Sequence, residues 1–140
     1  MDTHGHCTRP LPSTGLTGGT RALGRLGEDL AAQHLRVDDC LEVIARNWRI
    51  ADGELRGELD LVALDRPRGT VVVCEVKTRR DAQRFGGALQ AVSPRKRAKL
   101  RALAGAFLAQ AGLGLPHARI DLVAIDLGRE PVLHHVQDAL

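Results

Sequence analysis

Tyrosine is absent from this chain, and Trp48, Phe85 and Phe107 are its only aromatic residues. A platform on which single-stranded bases stack needs several aromatics on one face, so that mode of binding is not expected. Cysteine is scarce as well. Cys7, Cys40 and Cys74 are odd in number, widely separated and without a C-x-x-C pair, which fits neither a disulfide framework nor a cysteine-rich metal site and suits a reducing compartment. No apolar run is long enough to span a bilayer, and the start of the chain lacks a basic segment followed by an apolar one. The expected location is the cytoplasm.

What is present suits one small domain. A chain of 140 residues can bury one hydrophobic core but not two ordinary ones. The formal charge of +3 and pI near 9.1 permit a polyanionic partner without requiring one, so clustering of the basic residues decides. Residues 1–19 are rich in Gly, Thr, Pro and His without apolar periodicity and read as a mobile tail, leaving 20–140 as the domain. His4, His6 and Cys7 offer metal-binding atoms, but on such a tail they carry no expectation of a site.

Within the domain, Leu23, Leu26, Leu30, Ala31 and Leu35 recur at helical spacing over residues 20–37. A strand is expected around Val43, Ile44 and Trp48, and a turn over 51–57. Residues 59–64 and 70–77 are nearly continuous apolar runs joined by Asp65, Arg66, Pro67, Arg68 and Gly69, a hairpin with a longer loop whose strands are covered on both faces. The polar connection 78–92 reads as a mobile contact region. Ser93 followed by Pro94 marks a helix start, with Leu100, Leu103, Ala104, Phe107 and Ala111 as its buried stripe. Residues 119–127 form another strand, and 132–136 a short edge strand. The order α-β-β-β-α-β predicts an α/β fold with helices flanking a central mixed sheet.

Alternation places Val71, Val73, Glu75 and Lys77 on one strand face, so an acid and a base leave the core together. A short E-x-K is ordinarily a strand-end salt bridge. Asp60 in the preceding strand changes this, because a hairpin sets it beside Glu75, and two adjacent carboxylates call for a cation. Mg2+ suits such oxygen ligands, with Mn2+ as a substitute. Lys77 is then placed to serve a metal-bound water and to offset charge on phosphorus. Glu28 adds an acid from the first helix, on a stripe with Gly24, Ala31 and Leu35 that allows close approach to the sheet. Arg95, Lys96, Arg97 and Lys99 crowd the start of the second helix, where cations oppose the helix dipole and phosphate contact would explain them. Arg79 and Arg80 extend this basic set.

The blocks Gly24-Arg25-Leu26-Gly27-Glu28-Asp29-Leu30-Ala31, Arg46-Asn47-Trp48-Arg49, Gly57-Glu58-Leu59-Asp60-Leu61-Val62, Glu75-Val76-Lys77-Thr78-Arg79, Ala91-Val92-Ser93-Pro94-Arg95-Lys96 and Arg119-Ile120-Asp121-Leu122-Val123-Ala124-Ile125 resemble, in order, the YraN family of uncharacterised bacterial proteins. The resemblance covers about residues 20–140. It implies a three-layer restriction-endonuclease-like fold, similar to archaeal Holliday-junction resolvases. It also implies a catalytic set of a helix acid, a strand aspartate and an E-x-K, which fall on Glu28, Asp60, Glu75 and Lys77. The reading that follows is a Mg2+-dependent DNA endonuclease acting on branched or damaged structures. Its metal would be held by Asp60, Glu75 and the Val76 carbonyl, and junction cleavage would suggest a homodimer. The alternative is a nucleic-acid-binding module that keeps the nuclease fold without efficient cleavage. Residues 51–56 look long for the turn they occupy, and the tail has no counterpart in the family.

Overall fold

The computed structural model describes residues 5–12, 19–80 and 92–140. Strand β1 (His6–Pro10) precedes helix α1 (Thr20–Val37), which leads into β2 (Glu42–Asp52), β3 (Leu55–Asp65) and β4 (Thr70–Arg79). Helix α2 (Pro94–Ala111) then crosses to β5 (His117–Asp126), and β6 (Val132–Val136) follows. All six strands join one sheet in the order β1-β6-β5-β4-β3-β2. Its pairings are antiparallel except β4 with β5, which α2 connects and which run parallel. A parallel pair needs such a long crossover, whereas β2, β3 and β4 are joined by tight turns.

The alternation of β4 divides the core in two. Val72 and Cys74 pack with Leu61, Ala63 and the Ala31, Ala32 and Leu35 stripe of α1. Val71 and Val73 pack with Val62, Leu64 and the Leu100, Leu103, Ala104 and Phe107 stripe of α2. Among the described residues one helix therefore covers each face of the mixed sheet, and β3 and β4 are buried on both sides as their continuous apolar runs require. Trp48 and Phe107 meet edge to face across the α2 layer, ring centroids 5.4 Å apart.

The ends of α2 are capped as its sequence indicates. The Ser93 hydroxyl accepts from the Lys96 N–H at 3.1 Å, with Pro94 in the first helical turn. Gly112, in the left-handed conformation at φ 60°, closes α2 by donating its N–H to the Leu108 carbonyl.

Three expectations are corrected. His6–Pro10, placed by the sequence in an unstructured tail, pair in full register with β6, so β1 rather than β6 is the sheet edge. The stretch read as a turn over 51–57 is mostly strand. β2 runs to Asp52 and β3 starts at Leu55, with only Gly53 and Glu54 between them and Gly53 at φ 58°. Finally, the small residue that lets α1 approach the sheet is Gly27, which is buried, rather than Gly24. A Cβ on Gly27 would overlap the Thr78 Oγ1 of β4 and stand 2.9 Å from the Thr78 Cβ, whereas at Gly24 it would meet nothing. Of the connection read as a contact region, residues 81–91 lie outside the described residues.

The Gly27 contact fixes how close Glu28 comes to β4. Gly27→Val is expected to cost about 1–3 kcal/mol, because α1 must lift off the strand. Denaturant unfolding checks this. The loss should shrink when Thr78→Ala is added, and equal losses with and without that second change would contradict the contact.

Candidate functional site

The hairpin of β3 and β4 brings the acids together at the point where its ladder ends. The last pair is Leu61 with Cys74, so continuing the register would set Asp60 opposite Glu75. Instead the Asp60 Oδ2 accepts the Val76 N–H at 2.9 Å. A side-chain carboxylate thus takes a main-chain donor. Leu59 packs on the α2 side and Leu61 on the α1 side, so the alternation of β3 slips at Asp60. Residues two apart in a regular strand would share a face.

Glu75 is buried, and both lysines near it reach the same oxygen. Lys77 Nζ lies 3.4 Å and Lys96 Nζ 3.5 Å from its Oε1. Lys77 comes from the same strand face, as the E-x-K spacing predicts, and Lys96 comes from the first turn of α2. No such cation lies against Asp60 among the described residues. Among them Asp60 takes one hydrogen bond, from Val76, and no salt bridge. Burial, followed by the charge of Glu75, pushes its carboxyl up to about 7, with smaller contributions from Glu28 and Glu58 and with the Val76 N–H opposing. Cys74, between the two acids in the hairpin, is fully buried with its thiol pushed well up by burial and by Asp121, Asp60 and Glu75. It is packing, not a nucleophile.

Glu28 arrives from α1. Its Oε2 accepts from the Asn47 Nδ2 at 3.1 Å, beside the Arg46–Asp29 ion pair at 2.6 Å that also joins β2 to α1. Asn47 lies between the pairs Arg46–Leu61 and Trp48–Leu59, hence across from Asp60. Its φ is +50°, a conformation that asparagine tolerates better than most residues. Sequence reasoning places Asn47 in a motif block and gives it no role. An asparagine within a strand pattern is the signal that could have found it. Glu28, Asp60 and Glu75 do not converge within 4.8 Å as a three-acid ligand set, so Glu28 acts on Asp60 through its field.

Arg79 and Arg80 sit exposed at the end of β4, and the Arg79 guanidinium donates to the Thr78 carbonyl at 3.3 Å. Arg95, Lys96, Arg97 and Lys99 are exposed on the first turns of α2, where there is no acidic residue. The Lys96 contact with Glu75 puts that helix start beside the acids, and it gives Lys96 a different neighbour from the one expected of a purely outward basic patch. Asp60 and Glu75 both offer carboxylate oxygens, and among the described residues Asp60 has no counter-cation. That chemistry fits Mg2+ or Mn2+.

A family model described as uncharacterised protein family UPF0102, the YraN family, matches residues 27–125. A UPF0102 protein of Acidothermus cellulolyticus is 43% identical over 137 residues, covering 89% of this chain and 98% of that protein. Its counterpart in Mycolicibacterium smegmatis is 42% identical over 125 residues, covering 87% and 96%. One in Mycobacterium avium is 44% identical over 117 residues, covering 82% and 87%.

Proposed function

The chain belongs to the uncharacterised family UPF0102, and from that premise we propose that it is a Mg2+-dependent endonuclease hydrolysing phosphodiester bonds in DNA, at branched or damaged structures. The observation that carries this reading is Asp60, a part-buried carboxylate beside Glu75 whose proton affinity is raised by burial and then by the neighbouring acids, and which has no salt-bridge cation among the described residues. Asp60, Glu75 and the Val76 carbonyl would hold Mg2+, with Mn2+ as a substitute. The bound ion supplies a polarised water and neutralises phosphate charge. Lys77 would orient the attacking water and offset the charge that builds on the scissile phosphate. Asn47 holds Glu28 so that its charge reinforces the anionic site, and the start of α2 binds the backbone through Arg95, Arg97 and Lys99. On a four-way junction two such sites must act together, which calls for a homodimer.

The test is a cleavage screen over duplex, flap, single-stranded and four-way DNA with Mg2+ or Mn2+, with Glu75→Ala as control. Cutting that needs the cation and is lost in the control supports the reading, and no cutting of any substrate contradicts it. One observation favours a second reading. Glu75 already has two lysines on one oxygen, an arrangement that also suits a nucleic-acid-binding module without efficient cleavage.

Both readings expect phosphate contact at α2. DNA affinity should fall steeply with salt, and changing Arg95, Arg97 and Lys99 together to Gln should reduce the log–log slope by about one unit per lost contact. Fluorescence anisotropy across a salt series measures it, and an unchanged slope would remove α2 from the interface.

A further inference from the structure

A second cluster stands apart from these acids, where the end of α1 meets β6. His34 is fully buried in α1, and His135 is 1% exposed in β6. His34 Nε2 and His135 Nδ1 face each other at 3.0 Å. Asp39, just past the helix, brings its Oδ2 to 3.1 Å from the His135 Nδ1 and 3.9 Å from the His34 Nε2. These are the three ligand atoms that converge among the described residues.

The outer nitrogen of each ring is already engaged. His34 Nδ1 is 2.8 Å from the Asp38 Oδ2, and His135 Nε2 is 2.8 Å from the Asp121 Oδ2. A neutral imidazole with its proton on the carboxylate-facing nitrogen presents a lone pair on the other. Both inner nitrogens and the Asp39 oxygen are then acceptors aimed at one another, and the buried Asp39 Oδ2 has no hydrogen-bond donor. Three acceptors in contact must share either a proton or a cation. The outer carboxylates are themselves held, Asp38 by Arg9 at 3.1 Å and Asp121 by Arg119 at 3.0 Å and by the Asp138 N–H at 2.9 Å. Asp38 and Asp39 also follow the negative end of the α1 dipole, where carboxylates are unfavourable without a cation.

We propose that His34, His135 and Asp39 form a structural site for Zn2+ or a similar borderline transition dication, pinning the end of α1 to β6. Tetrahedral Zn2+ with bonds of about 2.0–2.1 Å holds its ligand atoms roughly 3.3 Å apart, close to the separations here. Two imidazoles and a carboxylate are ligands that suit this class of ion. Histidines whose outer N–H is fixed by a carboxylate are the usual support of a zinc ligand, because the carboxylate sets the tautomer and raises ligand basicity. The fourth position falls to water on the Asp39 side, whose carboxylate is 20% exposed and gives the ion its way in.

The competing state is a shared proton. Burial pulls His135 down, but the carboxylates of Asp121 and Asp39 beside its ring outweigh this and hold it at about 9. The experiment adds Zn2+ alone to the full metal-free chain in competition with a chromophoric chelator, and repeats it with Asp39→Asn and with His34→Ala. One Zn2+ per chain is expected, weakened about tenfold or more in Asp39→Asn, with the unfolding temperature of the parent raised by the ion. Co2+ in its place should give the ligand-field bands of a four-coordinate site. His34→Ala empties a buried position and is open to misfolding, so Asp39→Asn, on a part-exposed side chain, is the deciding variant once circular dichroism shows it folded. Cys7→Ser/His6→Ala and Asp60→Asn/Glu75→Ala should keep full Zn2+ affinity, which separates this site from the first strand and from the acids of the hairpin. Absence of stoichiometric Zn2+ binding, or equal binding by the parent and Asp39→Asn, would assign the cluster to a shared proton and overturn the proposal.

Discussion

Asp60→Asn should unfold at a higher temperature than the parent in metal-free buffer near pH 8, by about 5 °C or more, and the two should converge as the pH falls toward 4. Asparagine keeps an oxygen to accept the Val76 N–H and removes only the charge. The sign follows from proton counting. Folded Asp60 titrates at about 7 against an ordinary 3.8, chiefly from burial and then from Glu75. Between these values the native state binds more protons than the unfolded chain, so this group makes stability fall as the pH rises from about 4 to 7, with the full loss present above 7. The Asp60→Asn variant escapes that loss. Thermal unfolding followed by circular dichroism at several pH values measures it, and equal curves at pH 8 would mean that the charge of Asp60 is already compensated.

Lys77→Ala should lose about 10^2- to 10^3-fold in turnover on any DNA the protein cuts, while still binding Mg2+, because its work lies in the transition state. Folding should change little. Glu75 keeps Lys96 on the same oxygen, so removing Lys77 strands no buried charge. Lys96→Ala should instead weaken DNA binding and cost less turnover. Single-turnover kinetics with saturating enzyme separates the two effects. Similar losses from both changes, appearing only in affinity, would reduce Lys77 to a partner of Glu75.

Much of this is legible in the sequence. The apolar stripes of α1 and α2, the Ser93-Pro94 cap and the doubly buried β3 and β4 rest on local periodicity, which survives without knowledge of the fold. The hairpin follows from two adjacent runs, and with it the approach of Asp60 to Glu75. What the sequence hides is non-local or locally irregular. β1 has no alternating pattern and pairs with a strand near the other end of the chain. The turn between β2 and β3 looks long because Ala51 and Arg56, which pair with each other, carry no strand signal. Asn47 acquires its role from a left-handed backbone and from Glu28 on another element. Lys96 is indistinguishable in sequence from its basic neighbours, and only the packing of α2 against the sheet turns it toward Glu75. His34 and His135 stand 101 residues apart, each ordinary within its own element, and only the sheet order brings them together.

The central claim is that Asp60 and Glu75 form a divalent-cation site, and calorimetric titration of Mg2+ into the metal-free parent, Asp60→Asn and Glu75→Ala tests it most directly. One Mg2+ bound per parent chain and none in either folded variant is the predicted result. Binding that survives in both variants, or no binding by the parent, would contradict the site and the nuclease reading built on it.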